Sequence, residues 1–129
     1  MKYITALVLV SLAVGCSSTE DTLSGVWTVN DPFFSATYLV EKSGRDYNGV
    51  VLAYNDGTTR YQRQGKETHY VFTNLKAHEG QYVDGISGAT PKADHAARFS
   101  IQPIHPDTLA VTTYVMGRPL VETWTRKTK

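Results

Sequence analysis

The chain has 129 residues, 41% hydrophobic and 19% charged, with 13 Lys and Arg against 12 Asp and Glu. That length holds one domain, and the apolar content excludes a disordered charged chain. Lys2 is the only charge among the first fifteen residues, so the rest is formally neutral and carries no basic stripe, which argues against a nucleic-acid partner.

Residues 1–15 read as a secretory signal. Met1 to Tyr3 carries one positive charge, and Ile4 to Val14 is an uncharged apolar run of 11 residues. A membrane-spanning helix needs about 20 such residues, whereas a signal-peptide core needs about 7–15. Ala13-Val14-Gly15-Cys16 follows, small residues leading directly into the chain's single cysteine. This resembles the lipobox of bacterial lipoproteins, with Ala13 standing where Leu is usual. The resemblance implies cleavage before Cys16, a diacylglyceryl thioether on its sulfur and acylation, often by palmitate, of its amino group. Such chains, at about 0.8 kcal/mol per buried methylene, hold a protein firmly at a membrane. Ser17, where Asp would resemble an inner-membrane retention signal, points to the outer membrane. With no second cysteine, there is no internal disulfide.

Ser17 to Ser24 is polar and reads as a tether, with a β-rich domain expected over 25–129. Gly25 to Val29 opens a first strand, closed by Asn30-Asp31-Pro32. Phe34 to Glu41 alternates, with Phe34, Ala36, Tyr38 and Val40 on one face. Tyr47 to Tyr54 is the next strand, and Asn55-Asp56-Gly57 is a hairpin signal because these residues tolerate positive φ. Thr58 to Arg63 and Glu67 to Thr73 follow as strands. Asn74 to Gly80 reads as a loop, Gln81 to Val83 as a short strand, and Asp84 to Pro91 as a Gly-containing loop. Pro91 to Arg98 is the one helical candidate, about two turns with Thr90 as a cap. Phe99 to Gln102, Thr108 to Val115 and Leu120 to Arg126 complete the strands.

Eight or nine short antiparallel strands predict an all-β fold: a closed up-and-down barrel of about eight strands, or an open sheet or β-sandwich. Gly25-Val26-Trp27 opens the domain and Arg126 stands near its end. The pair resembles the lipocalin-like (calycin) superfamily, in which a Gly-x-Trp of the first strand packs near a late arginine, and this favours the barrel.

Chemistry is sparse. Asp84-Gly85-Ile86-Ser87-Gly88-Ala89-Thr90 resembles the flavinylation motif of exported FMN-binding domains, which implies FMN carried as a phosphoester on Thr90. In that family the motif leads into a C-terminal helix; here two strands come after it, and a Gly-rich surface loop is the competing reading. His69, His78, His95 and His105 lack metal-ligand spacing, so no metal site is expected. No Gly-x-Ser-x-Gly elbow is present, and the nearness of Ser87, Asp94 and His95 along the chain defines no triad. Aromatic residues recur through the strands, either as core or as the lining of a barrel mouth. The expected function is therefore a non-enzymatic binding module, lipid-anchored in the cell envelope. It would hold a small amphiphile or dock on an envelope protein; the alternative is an extracytoplasmic redox carrier bearing FMN on Thr90. A barrel interior filled by side chains, with no cavity, would sink the version with a small ligand held in the barrel and leave the protein partner.

Overall fold

Apolar and polar residues alternate along most of the chain after Gly25, a period that suits strands with one enclosed face. The computed structural model describes residues 22–88, 98–115 and 117–128, and among them there is no helix. Nine strands form: β1 (Gly25–Asp31), β2 (Phe34–Ser43), β3 (Asp46–Asn55), β4 (Arg60–Gln62), β5 (Tyr70–His78), β6 (Gln81–Ser87), β7 (Arg98–His105), β8 (Thr108–Val115) and β9 (Arg118–Arg126). Every pairing is antiparallel. Eight strands close a ring through the β2–β3 and β1–β9 pairings, while β4 extends the far edge of β3 by three residues. The chain is an up-and-down barrel, as the strand spacing and the Gly25, Trp27 and Arg126 positions anticipated.

An eight-stranded barrel has an interior just wide enough for side chains to fill. Here they fill it. Trp27, Val40, Leu75, Ile101, Leu109 and Leu23 occupy the lower levels, all at 2% exposure or less. Trp124 lies at mid-height, its ring 4.6 Å from Tyr38, 6.4 Å from Phe72 and 6.0 Å from Phe99, and Phe72 stacks on Phe99 at 4.7 Å. Phe72 reaches the axis because Gly49 pairs with it across β3 and β5. A Cβ on Gly49 would sit 2.4 Å from the Phe72 ring.

The barrel has two different ends. At one, which we term the closed end, Leu23 plugs the bottom and the Trp27 indole donates a hydrogen bond to the Leu23 carbonyl at 2.9 Å. The guanidinium of Arg126 lies 4.3 Å from the Trp27 ring. It donates to the carbonyls of Thr22 (2.7 Å), Ser24 (3.2 Å) and Pro106 (3.4 Å), and its Nε faces Asp107 at 3.3 Å. Gly25 makes room for this: its φ is +135°, and a Cβ there would come within 2.8 Å of Arg126 Nη1. The short Gly-x-Trp and late Arg strings are thus parts of one clasp.

Three expectations change. The polar stretch before the barrel is not tether throughout, because Leu23 is buried. Asn74 to Gly80 is not a loop: β5 runs to His78 and only Glu79-Gly80 turn, both with positive φ. Asp84 to Ser87 is strand, the second half of β6, and not loop. Arg98 begins β7; the rest of the helical candidate lies outside the described residues.

Candidate functional site at the open end of the barrel

At the other end, strands β1, β3, β6 and β8 finish and β2, β5, β7 and β9 begin. Register places the inward side chains there. Ala36 of β2 pairs with Tyr54 of β3, and Glu122 of β9 pairs with Val111 of β8, which is buried in the core. Leu120, Glu122 and Trp124 therefore share the inner face of β9, in descending order toward the core. Trp124 is fully buried, Glu122 half-buried and Leu120 56% exposed. Among the described residues this gradient outlines a shallow funnel, with the Tyr38 and Trp124 rings below Glu122.

Glu122 is a charged group of this funnel among the described residues. Its Oε1 accepts a hydrogen bond from the Trp124 indole at 3.0 Å, and no ion pair to it is found among the described residues. Its charge reaches the tyrosines around it. Burial first, and then the Glu122 carboxylate, push the Tyr38 hydroxyl well above the usual phenol range. Tyr54 is also raised, by burial, by Asp56, whose Oδ2 accepts its hydroxyl at 3.3 Å, and by Glu122. Phe34 stacks on Tyr54 at 5.6 Å and continues the wall outward. The arrangement is a carboxylate set among aromatic rings, with chemistry suited to an organic cation.

Apolar side chains are also exposed at and beside this end: Phe33 at 81% in the β1–β2 turn, and Val121 at 65% on the outer face of β9. Elsewhere, clefts of about 540 Å³ (Thr28, Ser35, Asn55, Arg60) and about 600 Å³ (Val26, Leu52, Arg126) lie along the outside of β1 to β4. Both are surface grooves rather than compartments within the barrel.

The residues singled out from sequence do not converge. Cys16 and Thr90 lie outside the described residues, as do Asp94 and His95. Of the FMN-type string, Asp84 is exposed and Ser87 buried on opposite faces of β6. His69 and His78 each face an exposed glutamate, Glu67 and Glu79, and the described residues hold no group of three His, Cys, Asp or Glu able to bind a metal. Of the aromatics, Trp27, Tyr38, Tyr47, Phe72, Tyr82 and Trp124 are core, whereas Tyr54 reaches the funnel. Glu122 was not singled out, although the Leu120-x-Glu122-x-Trp124 alternation carries the signal. No protein-family model matches the chain, and no curated protein or solved structure matches it.

Proposed function

We propose that this chain is a cell-envelope lipoprotein, anchored through Cys16 and probing its surroundings with a lipocalin-like barrel that binds without catalysing. The observation that carries the reading is Glu122: a half-buried carboxylate with aromatic neighbours and an apolar rim. A carboxylate beside aromatic faces is a complementary site for a cationic group. The ligand that fits is an amphiphile with a positive head, the head at Glu122 and Tyr38 and the apolar part against Phe34 and Leu120. The buried core side chains overturn the expected version with an amphiphile held inside the barrel; the site proposed here lies at the rim, outside that interior.

The test uses the mature protein with Cys16→Ser, so that the anchor does not interfere. Dodecyltrimethylammonium and dodecyl sulfate, below their micellar concentrations, are titrated against Trp fluorescence. The ammonium compound is expected to bind at least about tenfold more tightly, and Glu122→Gln to erase that preference. Equal binding of both signs by the unaltered protein would contradict the reading. The exposed Phe33 and Val121 favour a second version, in which the positive group is a Lys or Arg of an envelope protein seated on the same end. Failure of both detergents to bind selects that version.

A further inference from the structure

We propose that the closed end of the barrel is a membrane-docking surface, with Pro103, Ile104 and Pro106 resting in the lipid interface; the inference builds on the lipid-anchor reading of Cys16. A cleft of about 330 Å³ opens at this end, between Thr22 and Leu23 on one side and Pro103 to Pro106 on the other. Its lip includes Pro103, Ile104 and Pro106, and among the described residues Ile104 is 65% exposed.

Two features make a lipid surface the occupant. The first is where the chain enters. Arg126 bonds the carbonyls of both Thr22 and Pro106, so Thr22, the first described residue, is held against this lip. The second is reach. Six residue steps separate Cys16 from Thr22, at most about 20 Å of extended chain. β9 alone has nine residues, so at about 3.3 Å per residue and a tilt near 40° the barrel stands about 20 Å or more tall. Laying the open end on the bilayer would consume the whole reach, whereas the closed end is already within it. Pro103, Ile104 and Pro106 carry no charge, so their contact is expected to persist in high salt. The funnel at Glu122 then faces away from the membrane.

Lipidation of the single cysteine leaves no free thiol, so an introduced one is labelled alone. Full-length lipidated Ile104→Cys and Phe33→Cys proteins, carrying an environment-sensitive fluorophore, are reconstituted in phosphatidylethanolamine–phosphatidylglycerol vesicles containing a headgroup-level quencher. Both positions are exposed, so neither change burdens folding. The label at 104 is expected to be quenched at least about threefold more than the label at 33, in low and high salt alike. With a reporter at His78→Cys, on the same end, Ile104→Asp should reduce the quenching. Equal quenching at 104 and 33 on vesicle-bound protein overturns the docking surface and leaves the anchor standing. Protein that fails to float with vesicles and shows an unmodified Cys16 by mass overturns the anchor, and the docking proposal with it.

Discussion

Arg126 shows how much structure a single side chain can hold. Its flat guanidinium covers the Trp27 ring, bonds three backbone carbonyls and faces Asp107, joining the entry of β1, the β7–β8 turn and the end of β9. A lysine would keep the charge but has neither the planar fork nor the stacking face. Arg126→Lys should therefore lower stability by about 2 kcal/mol, a fall in Tm of about 10 °C for a domain of this size, measured by thermal unfolding. Lys127→Ala, next door and exposed, should stay within about 0.5 kcal/mol. Equal losses from the two changes would show that the clasp is not what the arginine contributes. Much of this was legible in the residues themselves, since Gly25, Trp27 and Arg126 stand out by type. Glu122 was not: one carboxylate in a strand reads as a solvent-facing position until register places it beside Val111 and Trp124 on the inner face.

Among the elements, the strands that follow strict alternation were readable and the interrupted ones were not. In β5 the inward residues Phe72 and Leu75 are three apart, and in β6 so are Tyr82 and Gly85. The extra residue in each lies near Asn74 (φ 58°) and Asp84 (φ 60°), two residue types that tolerate the left-handed region. These bulges face one another, between the Thr73–Ile86 and Lys76–Val83 pairs. A reading based on period two loses the strand there and reports a loop. Leu23 escaped for a different reason: one apolar residue in a polar stretch has no period. Its burial at 1% makes it a plug, and Leu23→Ala should cost about 2–3 kcal/mol by urea unfolding. A change within about 0.5 kcal/mol would mean that the barrel begins at Gly25, with the preceding residues as tether after all.

As a whole, the molecule is a barrel with a direction. The closed end carries the clasp, the plug and Thr22, the first described residue. The open end carries a funnel whose walls are aromatic and whose charge is negative. In the proposed binding module, this polarity would set the anchor on one side and the receiving face on the other. The claim that Glu122 sets what the funnel receives is tested most directly by reversing its sign. Glu122→Lys remains at a half-exposed position where the long stem can carry its charge outward, so the fold should persist and can be checked by circular dichroism. In the paired titration against Trp fluorescence, the headgroup preference should invert, with dodecyl sulfate binding the variant more tightly than dodecyltrimethylammonium. A folded Glu122→Lys protein that still prefers the ammonium compound as strongly as the unaltered chain would contradict the account.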